Sequence, residues 1–182
     1  VKTLLLTAAF VLSSTAAMAA LSPEKVVAQA KADFGANCDG EYLPEISAKD
    51  RVQTVTLKEE FAEITYHAVL CNMAAYNSDG VIYYETIVGD GIEPKLMQIH
   101  LTEPVLGPRN GIKGYKAMAT APGAGIDEKG MLTTFMKARG IGDAFTSATY
   151  KLEAGEATLV KYVVDNTLDG RINPKTIINI KK

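Results

Sequence analysis

The stretch Asp165-Asn166-Thr167-Leu168-Asp169-Gly170-Arg171-Ile172-Asn173 has the spacing of a calcium loop. Asp165, Thr167, Asp169 and Asn173 set oxygen ligands at positions one, three, five and nine, with glycine at six and isoleucine at eight. Thr176 stands at the twelfth position, where a bidentate glutamate is needed, and the flanks read as strands rather than helices. The competing reading is a hairpin turn closed by Asp-Gly. No cofactor is expected, with calcium at this loop as the single exception. A second position is Arg139, set between Ala138 and Gly140. Its planar guanidinium fork suits an anion or carboxylate ligand, or it anchors its own loop on Asp143. The latter makes Gly140-Ile141-Gly142-Asp143 a tight turn.

Familiar chemistries find little support. His67 and His100 are the only histidines. On a strand, His67 and Cys71 lie about 13 Å apart along one face, too far to share a metal. No G-x-S-x-G elbow occurs, and the glycine-rich pieces do not follow a strand and open a helix as phosphate loops do. Glu59-Glu60 and Asp127-Glu128 fall in predicted turns, where charge is solvated. Glycosidase work needs two acids brought together across a cleft, which only the fold can supply.

These residues must be positioned by one helix and a series of strands. Ser22-Pro23-Glu24 is a helix start, with a hydroxyl cap, proline in the first turn and an acid at the positive end. Val26, Val27, Ala30 and Phe34 share a face, and Gly35 supplies the stop, so the helix spans about residues 23–34. After Pro44 the hydrophobic period falls to two. Strands are predicted at Arg51–Leu57, Ala62–Leu70, Val81–Val88, Leu96–Leu101, Met131–Lys137, Ser147–Leu152, Ala157–Val164 and Thr176–Ile180. The turns between them are Lys58-Glu59-Glu60, Asn77-Ser78-Asp79-Gly80 and Gly89-Asp90-Gly91, and Glu153-Ala154-Gly155-Glu156 closes a hairpin. Pro104 to Gly130, rich in glycine and proline, reads as a loop region.

The amino-terminal stretch has the pattern of a secretory signal: Lys2, an apolar run Leu4–Leu12 too short to span a bilayer, and Ala17-Met18-Ala19 as the cleavage site. Residues 1–19 are thus expected to be removed, leaving 20–182 as one domain. Without Lys2 the balance is 18 basic against 21 acidic residues. Neither sign clusters, which argues against nucleic acid. No apolar run in the mature region reaches membrane-spanning length, so a soluble periplasmic or secreted product is expected. In that compartment the lone pair Cys38 and Cys71 is expected to form a disulfide.

Two segments carry a resemblance. One is Leu70-Cys71-Asn72-Met73-Ala74-Ala75-Tyr76-Asn77, followed by Tyr83-Tyr84. The other is Leu132 to Asp143, ending Lys137-Ala138-Arg139-Gly140-Ile141-Gly142-Asp143, followed by Ala148-Thr149-Tyr150 and a hairpin. In this order they resemble the carboxy-terminal part of the secreted bacterial family catalogued as domain of unknown function 1176. That family carries Cys-x-x-Gly-Ala-Tyr-Asn ahead of Lys-Gly-Arg-Gly-Leu-Gly-Asp-Cys-Gly. The resemblance covers roughly Ile64 to Val164 and describes a short, divergent member. Ala74 replaces the family's first glycine, Ala138 the glycine of Lys-Gly-Arg, and Ala144-Phe145 the Cys-Gly. A family cysteine expected near Asn166–Gly170 is missing as well, so both halves of one disulfide are absent together. The resemblance implies an exported habitat and carries no activity.

The expected fold is mainly β, an antiparallel sandwich or barrel-like α+β domain with one amino-terminal amphipathic helix. The expected function is a non-enzymatic binding or inhibitor-like module whose partner is a periplasmic protein or envelope component, acting as a monomer or small homo-oligomer. The alternative is an envelope hydrolase whose carboxylates assemble only in three dimensions.

Overall fold

Helix α1 (Pro23–Phe34) begins at the predicted proline and ends at Gly35, whose φ of 54° turns the chain out of the helix. Its cap differs in detail from the expectation. The Ser22 hydroxyl makes no bond to a backbone N–H and instead interacts with the Glu24 carboxylate. The computed structural model describes residues 20–39, 43, 45–60, 62–86 and 94–180. The signal-like segment 1–19, the Gly89-Asp90-Gly91 turn and the predicted strand end at Ile87-Val88 lie outside the described residues. Among those described, no helix is long and apolar enough to cross a membrane.

Two open antiparallel sheets face one another. The first is ordered β1-β2-β3-β4, from β1 (Val52–Lys58), β2 (Glu63–Met73), β3 (Ser78–Thr86) and β4 (Lys95–Ile99). The second is β11-β10-β9-β8-β7, from β7 (Gly125–Ile126), β8 (Met131–Lys137), β9 (Phe145–Glu153), β10 (Glu156–Asp165) and β11 (Lys175–Asn179). Tyr66, Ala68 and Ile82 of the first sheet pack on Leu132, Tyr150, Leu152 and Tyr162 of the second. The opposite face of the first sheet, with Val69, Cys71, Val81 and Tyr83, is covered by Val26, Val27 and Ala30 of α1. The order is therefore helix, sheet, sheet. Since β2 is packed on both faces, its run from Tyr66 to Val69 is continuously buried rather than alternating.

Three expectations are corrected. Pro104–Gly130 is not a loop region, because β5 (Leu101–Leu106) and β6 (Ile112–Met118) form a separate two-stranded ribbon, and β7 follows. Pro104 is tolerated because a two-stranded ribbon leaves each strand an unpaired edge. Ser78-Asp79-Gly80 belongs to β3, and the turn lies three residues earlier, closed by Ala74 N–H donating to Asn77 O at 2.8 Å. Residues 48–51 are a one-turn helix, α2 (Ala48–Arg51), capped by Ser47, which accepts from Asp50 N. Its buried Arg51 donates to Leu70 O at 3.1 and 3.2 Å and to Cys38 O at 3.0 Å. Beneath it Cys38 and Cys71 form the expected disulfide.

Several contacts stitch the two sheets. The Gln53 amide pairs with both N and O of Ile126, so a side chain joins edge strand β1 to edge strand β7. Segment 121–123 bonds β3 through Ala121 N to Gly80 O and Gly123 N to Ser78 O, and bonds β8 through Phe135 N to Pro122 O. At the other end the β9–β10 turn has Ala154 and Gly155 at positive φ, as a tight hairpin needs. Glu59 accepts from Ala154 N, and the Tyr66 hydroxyl donates to Glu59 and accepts from Gly155 N. Burial, chiefly, raises that hydroxyl's pKa to about 12.

Candidate functional site

The residues singled out from the sequence come together at one end of the sandwich. Asp143, in the β8–β9 loop, is only 3% exposed. Arg139 Nε donates to its Oδ1 at 2.7 Å and Arg139 Nη2 to its Oδ2, a bidentate fork of the loop-anchoring kind. Gly170 N, in the β10–β11 loop, donates to the same Oδ2 at 2.9 Å. Arg139 first, with help from that N–H, holds the carboxyl at about 2 against the penalty of burial. One carboxylate thus ties the Arg139 loop to the calcium-like loop.

Asp165 closes the second half of this knot. Its Oδ1 accepts from Thr167 N at 3.0 Å and from the Thr167 hydroxyl at 2.6 Å, and its Oδ2 accepts from Asn173 N. The Thr167 bond leads in lowering its pKa. Asp169 accepts from Arg171 N at 2.9 Å. Of the four calcium-loop residues, Asp165, Thr167 and Asp169 converge, while Asn173 joins through its backbone N–H. The carboxylates are engaged by N–H and O–H donors, the role a cation plays in a calcium loop. Among the described residues no group of three or more His, Cys, Asp or Glu is placed to hold a metal.

Two further connections reach this end. Asn77 clasps β8, its Nδ2 donating to Lys137 O at 3.0 Å and its Oδ1 accepting from Lys137 N at 2.8 Å. The adjacent Tyr76 ring lies so close over Gly140 that a Cβ there would come within 2.5 Å of it. On the other side Asn166 Nδ2 donates to Asn110 Oδ1, at the turn of the β5–β6 ribbon, at 2.9 Å. Four connections are therefore fixed to one another through backbone and side-chain bonds. Outward from them stand Tyr76, Ile141, Leu168 and Ile172, with Ile141 71% and Ile172 68% exposed. Sequence reading marked none of these four as contact residues. The available signal was an aromatic or aliphatic residue inside a turn of glycines and polar residues, as in Gly140-Ile141-Gly142.

No family model matches the chain, and no curated protein or solved structure matches it.

Two polar groupings were invisible in the sequence. On the α1 side, His67 is fully buried, with Nδ1 2.9 Å from the Thr54 hydroxyl and Nε2 2.8 Å from Glu85 Oε1. Leu21 N also donates to that carboxylate oxygen, at 2.7 Å. Thr54 and Tyr83 are the cross-strand partners of His67, and the hydroxyl–imidazole contact follows from that register. Burial, the largest influence, lowers the His67 pKa despite Glu85. Nε2 faces the carboxylate and Nδ1 the Thr54 hydroxyl, an arrangement that suits a ring proton on Nε2. Hydroxyl, imidazole and carboxylate stand in a line like a nucleophile's relay, and here they satisfy polar groups beneath α1.

The second grouping is a cleft of about 160 Å³ where the β5–β6 ribbon crosses the two sheets. Glu103 accepts from the Tyr162 hydroxyl at 2.8 Å and from Lys116 Nζ at 3.0 Å. Asp79, at the start of β3, also lines it, accepting from Gly80 N at 3.0 Å and from the Thr120 hydroxyl. Burial, first, raises the Asp79 carboxyl. These are acids from distant strands brought to one cleft, as a carboxylate-based alternative requires.

Proposed function

We propose that this chain is an exported binding module whose loop end receives a protein partner of the cell envelope, as small β-rich inhibitors receive theirs. One observation carries the reading. Apolar side chains that a folded chain ordinarily buries are held outward on loops whose backbones are already fixed. Loops ordered before binding lose little further entropy on binding, and exposed apolar groups supply the contact energy. The engagement of Arg139, Asp143 and Asp165 in the knot fits a supporting role for them, beneath the contact residues rather than among them.

Two features support export. A Cys38–Cys71 disulfide suits an oxidising compartment, and the signal-like start suits passage to one. The resemblance to the secreted family is consistent with the same habitat. Asp143 is bonded to Gly170, so the two segments that lack the family's cysteine pair lie side by side.

The test compares the chain with a variant carrying Ile141→Asp, Leu168→Asp and Ile172→Asp in capture from periplasmic extract. The expected result is a reproducible protein retained by the parent chain and lost by the variant, with both chains melting at the same temperature. Equal retention by both, or no reproducible protein, overturns the reading.

A further inference from the structure

We propose that the cleft under the β5–β6 ribbon binds a polyhydroxylated ligand of about one sugar ring. The argument starts from size. About 160 Å³ of open space, at roughly 10–15 Å³ per water-sized group, admits about a dozen such groups, the bulk of a single hexose.

The lining decides the chemistry. Glu103 offers carboxylate acceptors and Lys116 offers ammonium donors, 3.0 Å from each other. An amine ligand wants acceptors alone and meets Lys116. An anion wants donors alone and meets Glu103 and Asp79. Hydroxyl groups both give and accept, and they suit a wall that alternates the two. Thr134 strengthens the case. The residue is 5% exposed and lines the cleft, yet its hydroxyl has no hydrogen-bond partner among the described residues. No side-chain oxygen or nitrogen sealed from solvent lacks a partner among them, so this hydroxyl faces the open space. An unmet hydroxyl at the buried side of a cavity is a ready partner for a ligand.

The rest of the wall is preformed. The Tyr162 hydroxyl bridges Thr146 and Glu103, which fixes the carboxylate before any ligand arrives. Met118 and Met136 supply apolar surface for the C–H face of a ring. Asp79, held by Gly80 N and the Thr120 hydroxyl, adds a second fixed acceptor to the wall.

Met118 and Met136 make the test local. In chain carrying ¹³C-methyl methionine, glucose, N-acetylglucosamine and a chitin trisaccharide are titrated to about 50 mM, with butylamine and inorganic phosphate as comparison ligands. The expected result is saturable shifts of both methyls with at least one free sugar, and none with butylamine or phosphate. Shifts from the trisaccharide as well assign a chain-terminal sugar unit, whereas shifts from free sugars alone assign a free monosaccharide. Lys116→Ala and Thr134→Val, each removing one hydrogen-bonding group, are expected to weaken binding about three- to tenfold while the melting temperature holds. Lys116 is largely exposed, so its variant tests the idea even where Thr134→Val folds poorly. Methyls unmoved by every sugar overturn the proposal, as do equal shifts from butylamine or phosphate, or variants that bind as the parent does. Its failure leaves the loop-end reading untouched, since the two rest on different surfaces.

Discussion

Reducing the Cys38–Cys71 disulfide tests how the helix is held to the sheets. The bond closes a loop of 33 residues between the turn that leaves α1 and the bulged end of β2. On the chain-entropy model, opening a loop of that length returns about 3.5–4 kcal/mol to the unfolded chain. For a domain of this size each kcal/mol moves the midpoint by roughly 2–4 °C, so a drop of roughly 10 °C is expected. The native fold is expected to survive at 20 °C. Arg51 still bridges Cys38 O and Leu70 O after reduction, and Val26, Val27 and Ala30 still pack on the sheet. The assay is thermal melting by far-UV circular dichroism with and without a phosphine reductant, with thiol titration to confirm reduction. Amide exchange in the same samples should quicken in α1 before it quickens in β8–β10. Two results refute the reasoning. A midpoint that moves by less than about 3 °C means the unfolded chain gains little freedom. Unfolding at 20 °C means the bond holds native contacts rather than restricting the unfolded state.

Gly80→Ala places a Cβ 2.4 Å from Val69 O, a backbone atom that cannot swing away, so a loss of about 1–3 kcal/mol is expected, checked by urea unfolding. His67 resists protonation when folded, so the unfolded chain takes up the proton first as pH falls. Its contribution is intact above the ordinary value of 6.5 and is lost as pH drops below it, so melting temperature should fall from pH 6.5 to 5. His67→Gln should flatten that slope, and parallel curves for the two proteins would refute the assignment. Asp143→Asn weakens the hold on Arg139 and Gly170 together. Exchange of the Gly170 amide should then quicken by about an order of magnitude or more, whereas unchanged exchange removes the knot from the account.

Local signals in the chain were read where local rules suffice. Met131–Lys137 is a strand with the bounds its alternation predicts, and Ala154-Gly155 is the hairpin turn. The glycine and proline of 104–111 hid the β5–β6 ribbon, although Val105, Ile112 and Tyr115 carry a strand's residue types there. Arg139 with Asp143 was legible because the partners are four residues apart on one loop. Glu103 with Tyr162, Asp79 in the same cleft and Thr54–His67–Glu85 were not. Their partners meet through register and the crossing of a ribbon over two sheets, and neither is written in any window of sequence.

The knot also explains how two acids can share one end of the molecule. Asp143 and Asp165 are each 3% exposed, and the charge of Asp143 disfavours ionisation of Asp165. Buried like charges of this kind ordinarily force one group to keep its proton. Here both are lowered instead, since each carboxylate accepts from donors on its own loop, and Asp143 also accepts from Gly170 N of the β10–β11 loop. The donors are the Arg139 fork and the amides of Gly170, Thr167 and Asn173, so the charge that the pair requires is compensated by the loops themselves. Order in the loops and ionisation of the acids thus sustain each other. That coupling keeps Ile141 and Ile172 fixed in water, where an apolar tip on a slack loop would turn inward. On the proposed binding reading, a partner meets loops that are ordered before it arrives.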